Sequence, residues 1–68
     1  MKISVFGLGY VGTICAGCLA REGHEVIGVD ISRPKAEMIN AGRTPIIEAE
    51  IGEIISGAIE QRRLRAVT

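Results

Sequence analysis

The apolar positions change period several times along the chain, and each change marks an element. Lys2-Ile3-Ser4-Val5-Phe6 is β-branched and aromatic and stops at Gly7, which predicts a strand. From Tyr10 to Arg21 the residues Val11, Ile14, Cys15, Cys18 and Leu19 recur at helical spacing and predict a helix with that apolar face. Arg21 in its last turn and Gly23 just beyond supply the stop. Glu25-Val26-Ile27-Gly28-Val29-Asp30 is apolar on both faces, as a buried parallel strand is. Ser32 then caps a short helix that tolerates Pro34 in its first turn, carries Ala36, Met38 and Ile39, and ends at Gly42. Thr44-Pro45-Ile46-Ile47 is an extended connection. Glu48 to Arg63 is the clearest amphipathic helix, with Ile51, Ile54, Ile55, Ala58 and Ile59 forming one stripe. Glu48, Glu50 and Glu53 gather at its start and Arg62 and Arg63 at its end, as the helix dipole favours. Gly52 and Gly57 weaken it by up to about 1 kcal/mol each. Leu64 to Thr68 opens a third strand.

Composition narrows the class. At 68 residues the chain is at most one small domain, with a core expected to supply no more than about 3–5 kcal/mol unless something completes it. Two cysteines exclude a disulfide-dense scaffold. Eight basic against eight acidic residues, with one Tyr and one Phe, argue against nucleic-acid binding, which wants a basic face and stacking platforms. The uncharged run Ile3 to Ala20, preceded by Lys2, has the length of a signal peptide or a membrane span, and Cys15-Ala16-Gly17-Cys18 hints at lipoprotein processing. The glycines inside that run, Gly7, Gly9, Gly12 and Gly17, favour a soluble reading instead.

Gly7-Leu8-Gly9-Tyr10-Val11-Gly12 is G-x-G-x-x-G, a weak signal alone. Here it follows a predicted strand, opens a predicted helix and precedes Asp30 by 18 residues. In that setting Gly7 permits the turn, Gly9 lets a pyrophosphate approach the backbone, and Gly12 lets helix pack on strand. The phosphates would sit at the helix N-terminus, with the N–H groups of Tyr10 and Val11 as donors. Asp30 can accept from both ribose hydroxyls and would repel a 2′-phosphate, which favours NAD over NADP. Arg33 and Lys35 soften that preference, and Lys35 is equally a donor to the ribose side or a solvated helix lysine. The expected fold is therefore α/β: a Rossmann-type parallel βαβ unit, the opening part of a doubly wound NAD-binding domain that spans residues 1–68 and is incomplete.

Other chemistry is thin. Cys15-x-x-Cys18 lies a turn or more inside the helix, away from the N-terminus where a dipole activates thiols, and reads as a pair of small core residues. No second pair or His cluster completes a zinc site, so no metal is expected. His24 reads as a turn residue. No nucleophile–base set can be assembled, so no catalytic residue is assigned and the chain alone is expected to be non-catalytic.

Phe6-Gly7-Leu8-Gly9-Tyr10-Val11-Gly12, followed by Gly23-His24-Glu25-Val26-Ile27-Gly28-Val29-Asp30, resembles the start of the UDP-glucose/GDP-mannose dehydrogenases. Cys15-Ala16-Gly17-Cys18-Leu19 is most similar to the branch that oxidises GDP-mannose for alginate-type polysaccharide. The resemblance runs over essentially all 68 residues. It implies NAD contacts at Tyr10, Val11, Asp30 and Lys35, which tips Lys35 towards function. It also implies a cytoplasmic, homo-oligomeric full-length enzyme that binds a sugar nucleotide and oxidises its C6 alcohol to a carboxylate with two NAD⁺, through a cysteine thiolate lying beyond these residues. The UDP-glucose branch and a non-enzymatic dinucleotide-binding module are the alternatives. After Pro45-Ile46-Ile47-Glu48 the family typically continues Pro-Gly-Leu, whereas this chain has Ala49-Glu50-Ile51.

Overall fold

A computed structural model describes residues 1–44 and 48–68; the extended connection expected at Pro45-Ile46-Ile47 lies outside the described residues. The elements run β1 (Lys2–Phe6), α1 (Tyr10–Arg21), β2 (Glu25–Val29), α2 (Arg33–Asn40), α3 (Ala49–Glu60) and β3 (Leu64–Val67). The three strands form one parallel sheet in the order β1-β2-β3, with Ile3 beside Val26 and Val26 beside Leu64. Both crossovers step the same way across the sheet. Crossovers of this kind are right-handed, which puts their helices on one face, and α1 does pack against α3.

Alternation along the strands decides what that face meets. Val26, Leu64 and Ala66 are buried beneath the helices, with Ile3 and Val5 half-buried beside them. Phe6, Arg65 and Val67 have the opposite phase and are exposed, Phe6 at 80%. Among the described residues, half of the ten buried core residues are alanines (Ala16, Ala20, Ala36, Ala58 and Ala66), so helix and sheet lie close together. Leu8, Ile39, Ile55 and Leu64 supply the bulk.

This closeness corrects the predicted face of α1. Its buried residues are Thr13, Ala16, Gly17 and Ala20, while Val11 is 72% exposed and Cys15 is exposed. A Cβ on Gly17 would stand 3.0 Å from both Ile54 Cγ2 and Ile55 Cδ1, so only small residues fit between α1 and α3. Cys15 is therefore not a core residue, and Cys18 is only half-buried; both thiols are free. The uncharged run Ile3 to Ala20 divides into a strand, a glycine turn and a helix. No helix among the described residues is long and apolar enough to cross a membrane.

All three helices end alike. After α1, His24 N–H reaches the Leu19 carbonyl at 3.2 Å and Gly23 N–H the Ala20 carbonyl at 3.0 Å. After α2, Arg43 N–H meets the Met38 carbonyl and Gly42 N–H the Ile39 carbonyl, both at 2.9 Å. After α3, Arg63 N–H meets the Ala58 carbonyl at 2.9 Å and Arg62 N–H the Ile59 carbonyl at 3.0 Å. Each is a Schellman closure with a left-handed residue after the cap. Gly23 and Gly42 fill that position as expected from the sequence, but in α3 it is Arg62, at φ 59°. Arg62 and Arg63 consequently lie outside the helix, which stops at Glu60.

One side chain closes part of an edge. Asn40 donates from Nδ2 to the Ala66 carbonyl at 2.8 Å and accepts the Ala66 N–H on Oδ1 at 2.9 Å, as a neighbouring strand would. Asn40→Ala removes both bonds and is expected to destabilise the fold by about 1–2 kcal/mol. Urea denaturation checks this, and an unchanged midpoint would show that water replaces the amide without loss.

Candidate functional site: a glycine loop and Asp30

Strand β1 ends where Gly7 adopts φ 93°, a conformation that side chains resist. Its N–H donates to the Val29 carbonyl at 2.7 Å, so the turn is tied to β2 as it forms. The chain then rises through Leu8 to Gly9, the N-cap of α1, whose carbonyl accepts the Thr13 N–H at 3.0 Å. A glycine cap brings no side chain, and α1 has no acidic residue in its first turn. The N–H groups of Tyr10 and Val11 thus meet no carboxylate from their own helix at the positive end of its dipole. Tyr10 and Val11 are themselves exposed.

The three glycines differ in what surrounds them. A Cβ on Gly9 would meet nothing within 4 Å, so it would project into open space above the loop. A Cβ on Gly12 would collide with the carbonyl oxygen of Gly7, and lie 2.9 Å from that carbonyl carbon. Gly12 is therefore where helix touches strand, and Gly9 is where something else can touch the loop.

Asp30 follows the end of β2 and reaches back under this loop. Its Oδ2 accepts the Leu8 N–H at 2.7 Å and its Oδ1 the Ser32 N–H at 2.8 Å. Ser32 in turn caps α2, its hydroxyl accepting the Lys35 N–H at 3.5 Å. The Leu8 N–H foremost, then the Ser32 N–H, hold the Asp30 carboxyl below the ordinary aspartate value of 3.8. Partial desolvation opposes them and the nearby Lys35 ammonium assists. Lys35 is thus brought to the Asp30 side of the site, half-buried.

A lowered folded value fixes the sign of the pH dependence. The tie between Asp30 and the loop stabilises the fold at any pH above the unfolded value, and is lost as pH falls through the lowered folded value. Protection of the Leu8 amide is therefore expected to stay flat across neutral pH and to collapse only in acid, below 3.8. A pH titration followed by the Leu8 amide resonance checks this; a step near neutrality would contradict it.

Phe6, Gly7, Val29, Asp30 and Ile31 line a shallow hollow of about 240 Å³ beside the carboxylate, with Ile31 fully exposed at its rim. Larger hollows, about 410 Å³ between α1 and α3 and about 370 Å³ at the opposite ends of the strands, contain neither the glycine loop nor Asp30.

Of the seven residues the sequence marks, Gly7 and Gly9 lie on the loop, Tyr10, Val11 and Gly12 form the first turn of α1, Asp30 is bonded to the loop, and Lys35 lies near Asp30. Leu8, Thr13 and Gly28 were not singled out. Leu8 is 1% exposed, and a Cβ on Gly28 would lie 2.6 Å from its Cδ2. Gly28, a glycine inside a strand, was the available signal, since such glycines mark a close approach.

The sequence profile described as UDP-glucose/GDP-mannose dehydrogenase family, NAD binding domain, matches residues 1–68. The chain belongs to the UDP-glucose/GDP-mannose dehydrogenase family. NAD is accordingly its cofactor, and the open face of Gly9 and the uncapped first turn of α1 fit a dinucleotide pyrophosphate. Among family members, GDP-mannose 6-dehydrogenase of Azotobacter vinelandii is 56% identical over 68 residues, covering all of this chain and 16% of that protein. NDP-N-acetyl-D-galactosaminuronic acid dehydrogenase of Ralstonia nicotianae is 46% identical over 66 residues, 97% of this chain and 16% of that protein. In a ternary complex of GDP-mannose dehydrogenase from Pseudomonas aeruginosa, the matching part superposes with TM-score 0.97 at 50% identity, covering 100% of this chain and 16% of the other. The chain thus spans about a sixth of the length of these family members.

Proposed function

We propose that these residues form the cofactor-binding opening of a nucleotide-sugar 6-dehydrogenase whose substrate is GDP-mannose, oxidised to the uronate as a precursor of alginate-type polysaccharide. The observation that supports this reading is the hydrogen bond that fastens the glycine loop to Asp30, the pair of features to which we assign the phosphates and the adenosine ribose. Identity of 56% to a GDP-mannose enzyme, against 46% to an N-acetylgalactosaminuronic acid enzyme, supports the choice of sugar nucleotide.

Bound NAD supplies the hydride acceptor. The role of this chain is to hold it. The Tyr10 and Val11 N–H groups, at the positive end of α1, take the pyrophosphate, and Gly9 leaves room for it to approach. Asp30, ionised at neutral pH, accepts from the adenosine ribose hydroxyls, and Lys35 stands as a second donor on that side. No residue here is assigned a bond-making role; the thiolate, the sugar-nucleotide pocket and the remainder of the NAD-binding domain belong to sequence outside these 68 residues. We place the full-length protein in the cytoplasm as a homo-oligomer.

The test is an assay of the full-length protein with NAD and, in parallel, GDP-mannose and UDP-glucose, following NADH absorbance. Two NADH formed per GDP-mannose, with UDP-glucose much slower, is the expected result. Preference for UDP-glucose would overturn the sugar assignment. Tight NAD binding without reduction by any nucleotide sugar would point to a non-enzymatic dinucleotide module.

A further inference from the structure

The middle residue of Gly7-Leu8-Gly9 is nominally free in its motif, yet it is the most constrained residue of the loop. Its side chain is buried in the space that the missing Cβ of Gly28 leaves open. Its N–H is bonded to Asp30 and its carbonyl accepts the Thr13 hydroxyl at 3.0 Å. Thr13 is itself fully buried, and its own N–H is held by the Gly9 carbonyl at 3.0 Å. A hydroxyl carried that deep is costly unless it is bonded, and a methyl of the same size would pack there without that cost. The Leu8 carbonyl is the partner that accounts for it.

A loop that presents backbone N–H groups binds well only if those groups already converge, because ordering them on binding subtracts from affinity. We propose that Thr13 is a positioning residue of the cofactor site: its hydroxyl and the Asp30 carboxylate clamp Leu8 through its carbonyl and its N–H, one in each of the two peptides that flank its Cα, so that the loop stands in its binding shape before NAD arrives. The effect on NAD rests on the dinucleotide reading above. Asp30 then has two duties. A carboxylate offers about four acceptor positions, and two are spent on the Leu8 and Ser32 N–H groups. The others remain for ribose hydroxyls, so loop and ribose are held by one group without competing for it.

The experiment uses the full-length protein and Thr13→Val, which keeps the shape and removes the donor. NAD binding by calorimetry is expected to weaken about five- to tenfold. Exchange of the Leu8 amide in the ligand-free protein is expected to quicken about tenfold. Thr13→Ser restores both. Unchanged exchange and affinity in Thr13→Val would overturn the proposal, as would faster exchange with native affinity, which would leave Thr13 a purely structural residue. Failure of Thr13→Ser to rescue overturns it too. If Thr13→Val does not fold, the native ligand-free protein still decides: a Leu8 amide as protected as the amides of α1 supports the clamp, and one that exchanges like an exposed loop amide refutes it. A native protein that binds no NAD removes the dinucleotide reading and with it the positioning role, while the exchange measurements judge the clamp separately.

Discussion

Gly12→Ala is expected to destabilise the protein by about 4 kcal/mol or more, whereas Gly9→Ala, three residues earlier, should cost the fold no more than about 0.5 kcal/mol. The added methyl at Gly12 has backbone, not a flexible side chain, in its way, since it collides with the Gly7 carbonyl oxygen. Gly7 cannot yield cheaply. Its N–H is bonded to the Val29 carbonyl across the sheet, which holds the residue in place at its positive φ of 93°. Nor can α1 retreat, because Thr13, Ala16, Gly17 and Ala20 are packed beneath it and Gly17 faces Ile54 and Ile55 at close range. Lifting the helix would forfeit those contacts together. At Gly9 the extended backbone (φ −77°, ψ −158°) accepts alanine and the methyl meets nothing. That methyl instead fills the approach a pyrophosphate needs, so NAD affinity is expected to fall at least about tenfold while the fold persists. Guanidinium denaturation and NAD calorimetry on both variants separate the effects. Equal losses of stability would show that the loop, and not the helix–strand contact, sets the requirement at Gly12.

These contrasts mark what the sequence could and could not disclose. Local punctuation was legible: Gly7 ends β1, Gly23 ends α1 and Gly42 ends α2, because positive φ at a turn selects a residue type that shows in the sequence. Where a left-handed residue is not glycine, the signal vanishes. Arg62 closes α3 at φ 59°, so a reading based on charge carried that helix three residues too far. The face of α1 was misread for a different reason. The more hydrophobic residues lie at Val11, Ile14, Cys15, Cys18 and Leu19, of which Ile14, Cys18 and Leu19 are half-buried and Val11 and Cys15 exposed, whereas close packing against the sheet and α3 selects the smaller Thr13, Ala16, Gly17 and Ala20. Counting hydrophobicity favours the wrong flank whenever the interface is built from Gly, Ala and Thr. In the site, spacing revealed Gly7, Gly9, Gly12 and Asp30, since their roles follow from distance along a βαβ unit. Leu8 and Gly28 meet only because the parallel register sets Val5 beside Gly28 next to the loop. A variable position in a motif gives no hint of such a contact.

Asp30→Ala is expected to weaken NAD binding by about 10- to 100-fold, the larger effect arising because one carboxylate serves two purposes. The first loss is direct: the ribose hydroxyls lose a charged acceptor, and charge-assisted bonds are roughly twice as strong as neutral ones. The second is indirect, since the Leu8 N–H loses its 2.7 Å partner and one end of the clamp opens. The strand should survive, because the Asp30 backbone N–H donates to the Val67 carbonyl at 3.0 Å whatever the side chain. Asp30→Asn incurs both losses in smaller measure. An amide oxygen can still accept the Leu8 N–H, but its NH₂ group faces the Ser32 N–H, donor against donor, or else turns towards Leu8 with the same conflict. Asp30→Asn should therefore also quicken Leu8 exchange in ligand-free protein, though less than Asp30→Ala. Selectivity moves as well. Removing the negative charge ends the repulsion of a 2′-phosphate, and Lys35 stays nearby as an unneutralised cation. The ratio of NADP to NAD affinity should rise in Asp30→Ala, through loss of NAD affinity together with relief at the 2′ position. Calorimetry with both dinucleotides on the full-length protein measures it. An unchanged ratio, with Leu8 exchange accelerated, would mean that Asp30 acts on the cofactor only through the loop and that the ribose finds its acceptor elsewhere.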